Sequence, residues 1–217
     1  EHWYANFGYY AADRSQKLYH PIGGYLQALE LQTGRVRDLL ADPQGSLRDP
    51  QVSYDGQRIV FSYLKAGTES YHLYEINADG SGLRELAFDV PGQATWQPAD
   101  FFPDGRRVLL LSMEPRRDGP GKPFEEYYTQ TPTHIWAYDL DTGALEELAT
   151  QERMAVFYTP ALLLGSERML VQVVRDRVGQ IFNMRLDGTD AQPFTGAGEG
   201  LPYGLSLNPA GDRIAFH

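Results

Sequence analysis

Three side chains able to hold a metal or move a proton recur at one point of an internal pattern: His72, His134 and Gln180, with Tyr25 at the same place in an earlier copy. Neutral imidazole nitrogens and an amide oxygen can share one divalent ion, so these residues define a candidate metal site if their positions converge. The competing reading is that each caps its own segment and hydrogen-bonds to a neighbour. A second set mixes guanidinium, carboxylate, amide and phenol groups: Arg48, Asp49, Gln97, Asp100, Tyr158, Thr159 and Tyr203. Such a mixture suits a sugar, a peptide or a protein loop, or it solvates a wet channel. A third set is aromatic: Trp3, Tyr4, Phe7, Tyr9 and Tyr10, with Phe124, Tyr127 and Tyr128. Exposed, such groups mark protein or carbohydrate contacts; packed down, they cover the edges of elements.

Other chemistry is excluded by residues the chain lacks. Its 217 residues include no Cys, which removes disulfides, thiol nucleophiles, zinc–thiolate sites, iron–sulfur clusters and thioether-attached haem. No Gly-x-Ser-x-Gly elbow is present for a serine hydrolase. The segment Asn77-Ala78-Asp79-Gly80-Ser81-Gly82 resembles a calcium loop but has no bidentate Glu at the required spacing, and turn chemistry accounts for it. With 19 basic and 29 acidic residues the formal charge is −10, so the bulk surface is unsuited to nucleic acid or an anionic membrane. No apolar run approaches the ~20 residues of a membrane helix, and no membrane insertion of that kind is expected.

The elements that must position these groups are read from a repeat. Four segments couple a tight turn, an Arg and a short apolar run: Tyr54-Asp55-Gly56-Gln57-Arg58-Ile59-Val60-Phe61, Pro103-Asp104-Gly105-Arg106-Arg107-Val108-Leu109-Leu110, Leu164-Gly165-Ser166-Glu167-Arg168-Met169-Leu170-Val171 and Pro209-Ala210-Gly211-Asp212-Arg213-Ile214-Ala215-Phe216. The arginines at 58, 107, 168 and 213 are spaced by 49, 61 and 45 residues. Asp-Gly between apolar runs is a hairpin signal, because the turn requires positive φ. A second hairpin keeps a step of seven residues four times, from Leu29 to Val36, Ile76 to Leu83, Tyr138 to Leu145 and Met184 to Ala191. Each unit therefore holds four short antiparallel strands, A to D. Strand B is apolar on both faces, as in Ile59-Val60-Phe61 and Val108-Leu109-Leu110, so both faces must be covered. Stacked blades supply that cover, and the expected fold is an all-β propeller of four-stranded antiparallel blades.

Counting strands gives three full blades, 47–88, 96–150 and 157–195, with half blades at 1–42 and 201–217. Strand A is expected at 49–54, 98–102, 159–164 and 204–208, innermost in each blade, which sets Arg48, Asp49, Gln97, Asp100, Tyr158 and Tyr203 at a channel mouth. The stretch from Leu110 to His134 spans 24 residues against 11 from Phe61 to His72, so the B–C loop of the second full blade carries an insertion. It holds Tyr127 and Tyr128, and Trp3 belongs to the equivalent loop of the first half blade. Either the two half blades close a small four-bladed ring, or the chain is a slice of a larger one. The slice is the expectation, because the chain stops directly after Phe216 and His217 without a polar cap.

The segments Asp49-Pro50-Gln51-Val52-Ser53-Tyr54-Asp55-Gly56-Gln57-Arg58-Ile59-Val60-Phe61-Ser62 and His72-Leu73-Tyr74-Glu75-Ile76-Asn77-Ala78-Asp79-Gly80 resemble the TolB-type, WD-like propeller repeat. Pro103-Asp104-Gly105 and Asn208-Pro209-Ala210-Gly211 match it, whereas Leu164-Gly165-Ser166-Glu167 departs. Residues 2–12 look like a B–C loop insertion of propellers in large secreted bacterial proteins, similar to the middle domain of the hydrazine synthase alpha subunit. The resemblance implies a periplasmic or extracellular interaction platform, a scaffold for a protein or glycan partner within a longer chain, with no cofactor. The same repeats build oligogalacturonate lyases, which hold manganese with His and Gln, and the gating propellers of prolyl-oligopeptidase-type peptidases. A polysaccharide lyase body with a divalent metal on His72, His134 and Gln180 is therefore the alternative, and fold analogy does not choose between them.

Overall fold

Strands form where the turn–Arg–apolar pattern recurs, and each sheet is built from consecutive hairpins. The computed structural model describes residues 23–93, 95–113, 132–151, 162–165, 167–175, 178–196, 205–208 and 212–215. These residues are all-β, with no helix among them, and the chain divides into two compact units, Glu1–Ala87 and Phe88–His217.

In the first unit a two-stranded sheet, β1 (Gly24–Leu29) and β2 (Val36–Asp42), precedes a four-stranded one. The latter runs in the order β3 (Ser46–Val52), β4 (Arg58–Leu64), β5 (His72–Asn77) and β6 (Arg84–Glu85), antiparallel throughout. Strand β4 is buried from Ile59 to Leu64 without alternation, as a strand covered on both faces must be. One cover is visible within the unit. Leu26 and Leu39 of the small sheet pack with Ile59, Phe61, Tyr63, Tyr74 and Ile76 of the large one. The Tyr63 and Tyr74 rings meet edge to face at 5.0 Å, a favoured aromatic geometry. Polar contacts hold the same seam: the Tyr63 hydroxyl donates to Asp42 Oδ2 at 2.6 Å, and Arg37 donates to the Ala78 and Asp79 carbonyls at 2.9 and 3.0 Å.

The second unit carries two four-stranded antiparallel sheets. They are β7 (Thr95–Phe101), β8 (Arg107–Met113), β9 (Thr133–Asp139) and β10 (Leu145–Gln151), then β11 (Leu162–Leu164), β12 (Arg168–Arg175), β13 (Val178–Arg185) and β14 (Gln192–Pro193). A hairpin of β15 (Ser206–Leu207) and β16 (Ile214–Ala215) follows, and its Leu207 and Ile214 pack with Leu170, Ile181 and Leu205. The first strands of the two large sheets, β7 and β11, approach one another, as the inner strands of adjacent blades do. Among the described residues, three four-stranded and two two-stranded sheets thus agree with three full and two half blades of a β-propeller.

One local expectation is corrected. Strand A starts at Ser46 and Thr95, three residues earlier than Asp49 and Pro98 suggested. Proline lacks an N–H for the ladder and reads as a strand boundary. Here the chain absorbs it in bulges, with the register shifting between Arg48 and Gln51 in β3 and between Pro98 and Asp100 in β7. The turns that close the A–B hairpins behave as read, with Gly56 at φ 71° and Gly105 at φ 66°.

Candidate functional site

Register places Arg48 opposite Ser62 of β4, and Ser62 opposite Leu73 of β5. Tyr71 lies two residues before Leu73 and so comes to the same side of the sheet. The Arg48 guanidinium carbon stands 5.2 Å from the centre of the Tyr71 ring, a cation–π geometry. Tyr71 is itself oriented by its hydroxyl, which donates to the buried Ser46 Oγ at 2.8 Å. Beside this stack, Asp49 adopts φ 52° in the β3 bulge. A non-glycine residue in the left-handed region costs of order 1 kcal/mol and persists only where its surroundings hold it there. Ser62 Oγ, buried below the stack, makes no hydrogen bond among the described residues.

The equivalent part of β7 is simpler. Gln97 lies opposite Leu111, 49 residues on from the Arg48–Ser62 pair, and is half-buried. Asp100 accepts the Phe101 N–H at 2.8 Å through Oδ1. Beside Gln97, the Trp96 ring joins Trp136 at 5.6 Å and Phe88 at 4.6 Å, and Phe88 reaches Tyr138 at 5.3 Å. The Trp136 indole N–H donates to Ser112 Oγ at 2.8 Å, and that hydroxyl donates to Gln93 Oε1 at 2.6 Å.

The residues at the start of strand C are each engaged within their own sheets. His72 Nδ1 lies 2.7 Å from Glu85 Oε1, while Ser70 Oγ approaches its Nε2 at 3.1 Å. His134 repeats the pairing on Glu147 at 2.7 Å, with Thr150 Oγ1 at 3.2 Å from the same nitrogen. Gln180 donates to the Thr195 carbonyl at 3.2 Å. Tyr25, at the corresponding place on β1, is about half exposed. Among the described residues no three His, Asp or Glu side chains group as metal ligands. The pairing leaves its mark on the acids: the His134 imidazole holds the Glu147 carboxyl below its usual range. Burial, aided by the hydrogen bond to Glu85, pushes the Tyr74 phenol up to about 12.

Trp3, Tyr127, Tyr128, Tyr158 and Tyr203 lie outside the described residues. Tyr71 and Ser46 were missed by residue type, since a tyrosine two places before strand C reads as loop. The signal that finds Tyr71 is register: it shares a face with Leu73, opposite Ser62. Of the repeated arginines, Arg58, Arg107 and Arg168 are ion-paired, and Glu85 and Glu147 hold the two imidazoles. Arg58 and Arg84 both reach Glu75, whose side chain is 7% exposed, and Arg168 binds Asp190 Oδ2 at 2.8 Å and Asn183 Oδ1 at 2.6 Å.

No family model and no curated protein matches the chain. Solved structures do. An oligogalacturonate lyase in complex with manganese is 17% identical with a TM-score of 0.58, over 88% of this chain and 50% of that one. The oligogalacturonate lyase of Vibrio parahaemolyticus is 15% identical with a TM-score of 0.59, over 88% and 52%. The acylaminoacyl peptidase of Pyrococcus horikoshii is 16% identical with a TM-score of 0.52, over 82% and 28%. At these identities the likeness is one of fold. The chain is built as a β-propeller, and it spans about half the length of the lyases it matches.

Proposed function

We propose that the chain is a non-catalytic binding propeller of TolB-type repeats, within a larger exported protein, that presents the Arg48 end of the β3–β6 sheet to a protein or glycan partner. The observation that carries this reading is the Arg48–Tyr71 stack beside Asp49 at φ 52°. A planar cation over an aromatic ring joins positive charge and an apolar ring edge at one place, a combination found where sugars and peptide side chains are recognised. Strained backbone at a strand bulge is the kind of feature that binding sites retain. A glycan and peptide array read with the intact protein tests it. Ligands captured by wild type should lose about tenfold in affinity, of order 1.4 kcal/mol, in Arg48→Ala and in Tyr71→Ala. Equal capture by all three proteins rejects the site.

A second reading, a polysaccharide lyase body with a His/Gln-bound divalent metal, is favoured by one observation. In His134 Nδ1 is held by Glu147 and the buried Nε2 makes no hydrogen bond among the described residues, the orientation of a ligating His, whereas Ser70 occupies Nε2 of His72. Titration of the protein with manganese, with His72→Ala and His134→Ala beside it, separates the readings. Stoichiometric binding lost in both variants supports the lyase body and rejects the scaffold.

A further inference from the structure

The β3–β6 sheet carries a serine, a histidine and a glutamate in series. Ser70 Oγ stands 3.1 Å from His72 Nε2, and His72 Nδ1 stands 2.7 Å from Glu85 Oε1. The second carboxylate oxygen, Oε2, accepts the Tyr74 hydroxyl at 3.0 Å. His72 and Tyr74 share one face of β5, and register sets Glu85 of β6 opposite Tyr74, one diagonal step from His72. Ser70 reaches the ring from the bend that leads into β5. That bend is tied on both sides of the serine. Thr68 donates to the Lys65 carbonyl through its N–H at 3.0 Å and its Oγ1 at 2.8 Å, and Tyr71 is anchored on Ser46 at 2.8 Å.

The order of contacts is that of an activated nucleophile. A carboxylate only accepts, so in the neutral ring Nδ1 carries the hydrogen toward Glu85, and Nε2 is left to accept from the Ser70 hydroxyl. A serine hydroxyl is a weak nucleophile until such a base takes its proton, and a third group that fixes the tautomer makes the base effective. Glu85 is that group, and Tyr74 holds Glu85 in turn. The repeat does not produce this series by itself. Two places before His134 stands Pro132, and two places before Gln180 stands Val178. The hydroxyl nearest His134, from Thr150, lies on Nδ1, the nitrogen that Glu147 already holds. His72 and Glu85 are each about half exposed, so a reagent can approach from solvent.

We propose that Ser70 is a covalent acyl acceptor for activated carboxylic esters, with His72 as its base and Glu85 as the positioning residue. Ser70 Oγ bonds to the acyl carbon as the bond from that carbon to the leaving oxygen breaks. The Oγ proton passes to His72 Nε2 and from there to the departing oxygen or to solvent, which returns the ring to its neutral form. A leaving group as good as nitrophenolate departs without further help from the protein. The product is one acyl serine per chain, a modification without turnover. It goes beyond the binding role proposed above and rests on other side chains than Arg48 and Tyr71.

Incubation of the intact protein with p-nitrophenyl acetate at neutral pH, followed by intact mass and peptide mapping, tests the proposal. Wild type should gain an acetyl group on Ser70 at least about a hundredfold faster than on Ser81, an exposed serine whose hydroxyl donates to Asp79. His72→Gln should bring Ser70 down to the rate of Ser81, and Glu85→Gln should slow Ser70 at least about tenfold. Ser81 is read in the same molecules, which separates loss of the base from a general loosening of the fold. Circular dichroism matching wild type establishes that each variant is folded. Acetyl on Lys65 or His72 with none on Ser70, a Ser70 rate no greater than that of Ser81, or a Ser70 rate unchanged in His72→Gln each overturns it. Ligand capture at Arg48 does not enter this readout, so the two proposals fail separately.

Discussion

Glu75 shows how much a single side chain of the repeat can carry. It sits buried on β5 between Arg58 and Arg84, so strands B, C and D of that sheet are tied through one carboxylate. Both arginines are partly exposed and can turn to water when the acid is removed, which limits the cost. Glu75→Gln is expected to destabilise by about 2 kcal/mol, the range for hydrogen bonds to charged groups, read by urea denaturation. Asp42 sets the acid sensitivity of the seam between β2 and β4. The Tyr63 hydroxyl, with the Ala66, Gln44 and Gly45 N–H groups, lowers its pKa against the upward push of burial. A carboxyl lowered in the folded state stabilises above its unfolded value, near 3.9, and that stabilisation is lost as pH falls through the folded value. Thermal melts between pH 7 and pH 3 should therefore show a shallower decline for Asp42→Asn than for wild type, and an unchanged slope would remove Asp42 from the account.

At the scale of the element, strand B is the part of each blade least able to change. Phe61 is fully buried, shared between its own sheet and the β1–β2 hairpin. Phe61→Ala should cost about 3–5 kcal/mol through lost burial and the cavity left behind, measurable by chemical denaturation. This element was also the most legible. Apolar runs without alternation, an Asp-Gly turn before them and a seven-residue step after them specify strands B, C and D from local sequence alone. Strand A was less legible because Pro50 and Pro98 look like boundaries, and only the three-dimensional ladder shows that the bulge removes the need for their N–H groups. The candidate site divides in the same way. Arg48 and Asp49 stand out by type, but Tyr71 becomes their neighbour through pairing across β4, a long-range fact. The His72–Glu85 and His134–Glu147 pairs were within reach, since each Glu follows the step at the same offset.

For the whole molecule, charge and fold make separate statements. A formal charge of −10 without a basic stripe predicts passage through a heparin column at about 0.15 M salt, where a screening length near 8 Å leaves only local attraction. Retention there would reveal a basic patch that composition hides. The propeller likeness, at 15–17% identity to two lyases, fixes architecture and leaves chemistry to particular side chains. One feature connects the scales. The extra residue in β3 and in β7 separates each inner strand into two stretches of register, one holding Arg48 or Gln97, the other holding Val52 or Phe101. Substitution on one side of the proline then leaves the strand pairing on the other side in place. An engineer can therefore vary residues 46–48 and residues 51–52 separately, provided Tyr71 is kept as the partner of Ser46 and Arg48.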